Sequence, residues 1–113
     1  MELRAGATEF SIKVGISESG VHIYILEDKG KSTSITNNAK DVIKEICANY
    51  GNIPDNAVVV YRDTLGTWDE LKVIDGKFSE YKPLGAITEN EAISKAIAKK
   101  NEKYLIVGVT SSI

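Results

Sequence analysis

The chain is poor in several residue types, and each shortage narrows the chemistry it can perform. Its 113 residues include one cysteine, Cys47, and one histidine, His22, so no disulfide can form within the chain. A metal centre built from cysteine and histidine is not expected, and neither a metal nor any other cofactor is predicted. No apolar run approaches the roughly 20 residues that span a bilayer, so no membrane partner is predicted.

Arginine is also scarce and the chain is slightly acidic, and both features bear on the class of partner. The formal net charge is −2, and only two of the fourteen cationic side chains are arginines, Arg4 and Arg62. An acidic chain is a poor match for a phosphate polymer, so a nucleic-acid polymer is not predicted as a partner. A small anionic ligand stays open, because it needs only one local cluster of donors. The first residues lack the basic and then apolar layout of a secretory signal, which favours a cytoplasmic location.

Periodicity predicts one domain over residues 1–113, with strands and helices in a mixed order. Alternating or continuous apolar runs predict strands over 9–16, 21–26, 57–61, 68–74, 77–81 and 104–109. A stripe at three- and four-residue spacing predicts a helix over 36–50, ended by Gly51. Thr88 and Glu91 form a capping box that opens a second helix.

The order β-β-α-β-β-β-α-β predicts an α+β domain with a mostly antiparallel sheet. Each helix has a single apolar stripe, so both helices are expected on one face of the sheet. The opposite face is then left open to water or to a partner. An open face and apolar edge strands also favour a homo-oligomer.

The start of the first predicted helix is the first candidate binding site. Free backbone amides and the positive end of the helix dipole meet there, which suits an anion such as phosphate. Lys29 and Lys31 lie just before it in the sequence. In the alternative interpretation, one hydroxyl caps the helix and the others are loop residues. The candidate ligands at this start are Thr33, Ser34, Thr36 and Asn37.

Arg62 and Asp63 follow a buried strand and form the second candidate segment. The planar guanidinium of Arg62 suits phosphate, and Asp63 can accept a hydrogen bond from a ribose hydroxyl or a base amine. Alternatively, Arg62 pairs with a carboxylate of the chain and Asp63 closes its own turn. The binding hypothesis requires this segment and the helix start to converge on one pocket. Arg4 completes the predicted polar ligands.

Among the aromatic residues, Trp68 and Phe78 are the candidates for stacking on a nucleobase. Trp68 adjoins a polar turn and is the best candidate for an exposed ring, although core packing explains most of the aromatic residues. No catalytic residue is predicted. Asp63, Asp69 and Glu70 are close in sequence, as in a metal-dependent hydrolase, but acidic residues are common in turns.

In size and order of elements, the chain resembles small phage proteins of the first Thoeris anti-defence family. The resemblance includes the segments 33–37 (Thr-Ser-Ile-Thr-Asn) and 61–63 (Tyr-Arg-Asp). It implies a sponge that sequesters a small cyclic nucleotide, either a cyclic ADP-ribose variant or a cyclic oligonucleotide, without breaking a bond. It also implies an oligomer, a hexamer of dimers or trimers, acting in the host cytoplasm.

The sequence therefore yields a first hypothesis and two alternatives. The first is a non-enzymatic binder of a small phosphate-bearing nucleotide. The second is a protein-interaction module that uses the open sheet face. The third is a hydrolase that uses Asp63, Asp69 or Glu70.

Overall fold

The computed structural model describes residues 1–29, 33–75, 77–97 and 102–106. Within these ranges, seven strands form one sheet, and a 3₁₀ turn at Thr36–Asn38 leads into the first of two helices. The strands are β1 (Glu2–Ala5), β2 (Thr8–Ser17), β3 (His22–Asp28), β4 (Val58–Arg62), β5 (Trp68–Ile74), β6 (Lys77–Ala86) and β7 (Tyr104–Ile106). The helices are α1 (Ala39–Tyr50) and α2 (Glu89–Ala96). The predicted α+β class is confirmed, as is the order of the predicted elements.

The sheet is antiparallel except at its centre. Its strands follow the order β1-β2-β3-β4-β5-β6, and β7 pairs with β2 beyond the stretch that β1 occupies. β3 and β4 are parallel, with Ile23 opposite Val58 and Glu27 opposite Arg62. Parallel neighbours need a crossover, and α1 supplies it. This β3-α1-β4 unit brings the carboxyl ends of two central strands to one edge of the sheet.

Neighbouring residues of the central strands belong to two separate cores. On β3, Tyr24 and Leu26 lie in the core that contains Val42 and Ile46 of α1. The intervening Ile23 and Ile25 lie in the core that contains Ala92 and Ile93 of α2. Because successive side chains of a strand point to opposite faces, the two helices cover opposite faces of the sheet.

The expectation that both helices lie on one face is therefore wrong, and so is the expectation of a sheet face without a helix. The reason lies in the central strands, which are apolar on both sides. Val58, Val59 and Val60 are all buried, the outer two on the α2 side and the middle one on the α1 side. A strand that is buried on both faces needs a covering layer on each.

The predicted cap of α2 at Thr88 and the predicted end of α1 at Gly51 are present, but only the Thr88 half of the capping box is formed. The Thr88 hydroxyl accepts a hydrogen bond from the Glu91 amide at 3.2 Å, while the Glu91 carboxylate pairs with Lys95 at 3.4 Å. At the end of α1, Gly51 adopts φ +80° and donates its amide to the Cys47 carbonyl at 2.8 Å. Glycine adopts this φ without the steric cost that a side chain adds.

Several boundaries differ from the prediction by one or more residues, and some predicted segments lie outside the described residues. β1 was not predicted, because an alternation of only four residues is too short to be recognised; Gly6, at φ +63°, turns it into β2. β6 continues past Pro83. Because β6 is at the edge of the sheet, a proline, which has no amide hydrogen to donate, is tolerated there. Residues 107–109 of the predicted last strand and the predicted helix-start neighbour Lys31 lie outside the described residues.

Gly15 is the residue on which the pairing of β2 with β7 depends. A Cβ at this position would lie 2.8 Å from the Leu105 carbonyl oxygen and 3.2 Å from a methyl group of Ile106. We expect Gly15→Ala to push β7 away from β2 and to lower the free energy of unfolding by about 1–3 kcal/mol, as for an overpacked core. Amide hydrogen exchange at Leu105 and Ile106 should become faster than in the wild type.

The matched control is Ser11→Ala, which changes β2 where it pairs with β1 instead. We expect this variant to leave exchange at Leu105 and Ile106 unchanged. If Gly15→Ala gave wild-type exchange at both amides, the close approach of β7 to Gly15 would be wrong.

Candidate functional site

The carboxyl ends of β3 and β4 meet the start of α1 at one edge of the sheet. The parallel register sets Leu26 opposite Tyr61 and Glu27 opposite Arg62, so both strands end together. Ligands of open sheets bind outside the carboxyl ends of parallel strands, where loops and helix starts converge. We call this region, the ends of β3 and β4 with residues 33–38, the carboxyl edge.

A buried carboxylate joins the three parts of the carboxyl edge. Asp28 is 7% exposed, and its Oδ2 accepts a hydrogen bond from the Ile35 backbone amide at 3.1 Å and from the Tyr61 hydroxyl at 3.2 Å. A buried carboxylate is stable only where donors replace its lost water. Asp28 therefore holds the connection that enters α1 against both parallel strands.

A second carboxylate–tyrosine pair lies beside the first, on the same α1 side of the sheet. The Tyr81 hydroxyl donates to Asp69 Oδ2 at 2.6 Å, and Asp69 is only 2% exposed. The rings of Tyr61 and Tyr81 are 6.4 Å apart and inclined at 60°. Tyr81 is thus fixed at its hydroxyl end while half of the residue, 52%, remains exposed. The Tyr81 ring is therefore held in one orientation at the protein surface.

Both tyrosine hydroxyls have raised pKa values. Burial raises the pKa of Tyr61 most, followed by the charge of Asp28 and the hydrogen bond to it. The hydrogen bond to Asp69 is the main reason that the pKa of Tyr81 rises to about 12; burial and the charges of Asp69 and Asp63 add to it. At neutral pH both hydroxyls therefore remain protonated donors to the two buried carboxylates.

The predicted helix-start residues are gathered at the carboxyl edge, and one of them is the cap. Ser34 Oγ accepts a hydrogen bond from the Asn37 amide at 3.3 Å and lies 3.3 Å from the Thr36 hydroxyl. Thr36 and Asn37 are exposed, whereas Thr33 and Ser34 are half-buried. The capping alternative thus applies to Ser34, and the exposed polar groups of Thr36 and Asn37 remain accessible to a ligand.

Arg62 does not converge with the helix start, contrary to the prediction. It follows Tyr61 on β4 and therefore points to the α2 side, whereas Asp28 and the helix start are on the α1 side. Its guanidinium lies 3.6 Å from Glu27 Oε1, which is also 3.8 Å from Lys29 Nζ. The intramolecular pairing considered for Arg62 is thus present. A pocket shared by the guanidinium and the helix start on one face is absent from the described part of the chain.

Asp63 closes its own turn, as its alternative interpretation stated. Its Oδ1 accepts hydrogen bonds from the amides of Leu65 at 2.9 Å and Thr67 at 3.0 Å. The turn brings Gly66, at φ +84°, beside the Arg62 guanidinium. Asp63 therefore fixes the loop that follows β4 through hydrogen bonds within the chain.

The remaining predicted ligand residues are dispersed. Trp68 is 3% exposed and lies in the core on the α2 side, so the prediction of an exposed ring is wrong. Phe78 is half-buried against the α1-side core and pairs with Val73, at the other end of the sheet from the carboxyl edge. Arg4 is an exposed residue of β1 that pairs with Glu9. Trp68 of β5 pairs with Arg62 of β4. This register places the Trp68 side chain on the buried α2 side of the sheet, although a polar turn precedes the residue.

Sequence reasoning did not predict the two carboxylate–tyrosine pairs, Asp28 with Tyr61 and Asp69 with Tyr81, although it named Asp69 in the hydrolase alternative and Tyr61 in the resemblance. A signal for the two carboxylates exists in the strand period. Asp28 continues the alternation of the buried residues Tyr24 and Leu26, and Asp69 that of Leu71. A charged residue in the buried phase of a strand is expected to have specific partners, and here each has a tyrosine.

The described residues contain no group of three or more histidine, cysteine, aspartate or glutamate side chains that could hold a metal ion. Asp69 and Glu70 are successive residues of β5 and point to opposite faces, which separates the carboxylates of the hydrolase alternative. In the same ranges, neither helix has the length and apolar character that crossing a membrane requires.

No family model, curated protein or solved structure matches the chain. The function is therefore argued from the geometry of the carboxyl edge, together with the resemblance described above.

The Tyr81–Asp69 hydrogen bond predicts a specific dependence of stability on alkaline pH. The folded state keeps the Tyr81 proton up to a pKa of about 12, whereas the unfolded chain loses it near the ordinary value of 10. The contribution is thus complete below pH 10 and is lost as the pH rises from 10 to 12. We expect Tyr81→Phe to reduce this fall and, at neutral pH, to destabilise the fold by about 1–3 kcal/mol, because buried Asp69 loses a donor.

Urea unfolding at a series of pH values from 8 to 12 measures both effects. Tyr50→Phe is the matched control, because its hydroxyl lies beside the Met1 sulfur rather than a carboxylate. An alkaline profile of Tyr81→Phe that is superimposable on that of the wild type would contradict the assignment.

Proposed function

We propose that the protein binds and sequesters a small phosphate-bearing nucleotide at the carboxyl edge, without changing it chemically. The observation that carries the proposal is the linkage of the helix start to a fixed, half-exposed tyrosine. Ile35 and Tyr61 both bind Asp28, and the ring of Tyr61 lies against the ring of Tyr81. A polar helix start and a half-exposed aromatic ring are therefore linked, through Asp28 and Tyr61, on one face of the sheet.

The helix start suits the phosphate. The amides of Ile35, Asn37 and Asn38 already donate to Asp28, Ser34 and the Ile35 carbonyl, so the backbone contributes mainly the positive potential of its aligned peptide dipoles. The exposed residues Thr36 and Asn37 offer further donors at this position. These groups recognise an anion without requiring a basic protein, which agrees with the net charge of −2.

Tyr81 suits the base. Its hydroxyl is held by Asp69, so its ring loses little conformational freedom when a base stacks on it. Stacking of a base on an aromatic side chain contributes about 1–3 kcal/mol. In this proposal Tyr81 takes the role predicted for Trp68 and Phe78, which pack against the two cores.

On the other side of the same edge, Arg62 and Lys29 share the carboxylate of Glu27. These two cations can donate to a second phosphate there, although Asp63 adjoins Arg62 and no excess of positive charge results. A ligand with two phosphates, one at the helix start and one over the end of β4, would reach this pair. Arg62 thus keeps a role as a secondary contact across the edge.

The state of the acidic residues supports binding rather than hydrolysis. Asp28 and Asp69 are buried and accept hydrogen bonds from tyrosines, and Asp63 closes a turn. Metal-dependent hydrolysis needs carboxylates that converge on an ion or on an attacking water. These three carboxylates instead accept hydrogen bonds from groups of the chain itself and stabilise the fold.

The resemblance to Thoeris anti-defence proteins supplies the finer part of the proposal. It adds a cyclic ADP-ribose variant or cyclic oligonucleotide as ligand, a phage protein acting in the host cytoplasm, and a homo-oligomer such as a hexamer. This part rests on the resemblance alone.

A protein-interaction module is the second candidate, and exposed apolar residues favour it. Leu65 is 89% exposed and Ile87 is 82% exposed. They flank the pair formed by Trp68 and Ala86, so both belong to the same end of the sheet as the carboxyl edge. Because each face of the sheet carries a helix, a partner would meet this end of the sheet rather than the open face that was predicted.

Release of the bound molecule distinguishes these functions. The purified protein is heated, and the supernatant is analysed by mass spectrometry. We expect a chemically intact, phosphate-bearing nucleotide in a stoichiometric amount. A protein that co-purifies instead, with no nucleotide released, would favour the interaction module, and a cleaved nucleotide would favour a hydrolase.

Titration calorimetry with cyclic ADP-ribose and with cyclic di-GMP then locates the site. We expect Tyr81→Ala to weaken binding by about 5- to 150-fold, the loss of one stacked base. Arg62→Ala should weaken it less, because the guanidinium is partly exposed and paired. Glu18→Gln, an exposed change in the turn between β2 and β3 at the other end of the sheet, is the control for an unspecific charge effect. Binding that survives Tyr81→Ala unchanged would remove the base from this position.

A further inference from the structure

A cleft of about 560 Å³ opens at the end of the sheet opposite the carboxyl edge. It lies on the α2 side, between the last turn of α2 and the amino end of β4. Much of its wall is apolar and comes from Val21, Ala57, Val58, Val73, Ile74, Ala96 and Ile97. Clefts of roughly 300–1,000 Å³ with apolar walls and a few polar groups are typical of small-molecule sites.

The polar groups of this cleft are predominantly acidic. Three carboxylates, of Asp55, Glu70 and Glu102, line it together with one ammonium group, that of Lys72. Glu102 Oε1 accepts a hydrogen bond from the Ser19 amide at 2.6 Å, which fixes it at the rim. Among the described residues, the lining therefore carries two more negative than positive charges.

Two of these carboxylates lack a partner. Within the described residues, Glu70 and Asp55 make no hydrogen bond and no ion pair, although Glu70 is half-buried. On β5, Glu70 points to the α2 side, opposite Val60 of the apolar core. A carboxylate held beside apolar walls is stabilised by a cation that replaces part of its water.

We propose that this cleft binds a small organic cation, an amine with an apolar body. Its ammonium group lies between Glu70 and Asp55, and its apolar body covers Val58, Ala96 and Ile97. Charge complementarity determines the class of ligand: the lining attracts a cation, whereas it repels the phosphates of the nucleotide proposed for the carboxyl edge. The two sites are separate, and neither proposal depends on the other.

Three probes of equal chain length test the charge requirement. Hexylammonium, hexanol and hexanoate are titrated separately into ¹⁵N-labelled protein, and the amide chemical shifts of Val58, Glu70 and Ala96 are followed. We expect saturable shifts at these amides with hexylammonium, at least fivefold weaker binding of hexanol, and no saturable shift with hexanoate. Equal affinity for hexanol and hexylammonium, or binding of hexanoate, would overturn the proposal.

Substitutions then test the two carboxylates. Glu70→Gln keeps the shape of the side chain and removes its charge, and we expect about a fivefold loss of affinity for hexylammonium, the upper range for a partly exposed ion pair. Combined with Asp55→Asn, the loss should be larger. Asp41→Asn removes the same charge on α1, away from the cleft, and should leave the affinity unchanged. Unchanged affinity in the double variant, with the remaining spectrum intact, would also overturn the proposal.

Discussion

The buried Asp28 carboxylate is the constraint on which the centre of this fold depends. It accepts hydrogen bonds from the Ile35 amide and the Tyr61 hydroxyl, and so joins the end of β3, the entry to α1 and the end of β4. Leaving such a carboxylate buried without donors costs several kcal/mol. The chain must therefore pass over the end of β3 before it turns into α1. That path places the helix on one particular face and delivers β4 parallel to β3.

The order of elements could be predicted because each element has a local signal, whereas the side on which each helix packs could not. The caps at Thr88 and Gly51 act within one turn of a helix, and the structure contains both. The side of the sheet depends on contacts between distant segments. A clue was present nevertheless: the almost unbroken apolar run over 21–26 is typical of a strand buried on both faces. Half-buried strands, such as β2, alternate instead.

The alternation of side chains between the two faces of a strand also explains which part of the candidate site could be predicted. The helix start and the end of β4 do meet at one edge, because β3 and β4 are parallel, a pairing that the sequence analysis did not predict. Within β4, however, adjacent residues serve opposite faces, so Tyr61 contacts Asp28 while Arg62 pairs with Glu27. Choosing between these two neighbours requires knowing which face α1 covers. Residue type alone favoured the arginine, and the geometry favours the tyrosine.

The two proposed sites differ in charge but are joined by β4. The carboxyl edge offers hydroxyls and two cations that share Glu27, whereas the cleft at the amino end of β4 offers unpaired carboxylates. Glu70 lies opposite Val60 in the middle of β4, so two residues of strand, or roughly 7 Å, separate it from the end that Arg62 occupies. This distance is comparable to the screening length of about 8 Å at physiological ionic strength. A charge bound in the cleft is therefore felt at Arg62, and β4 also connects the two sites through packing, with Tyr61 at one end and Val58 at the other.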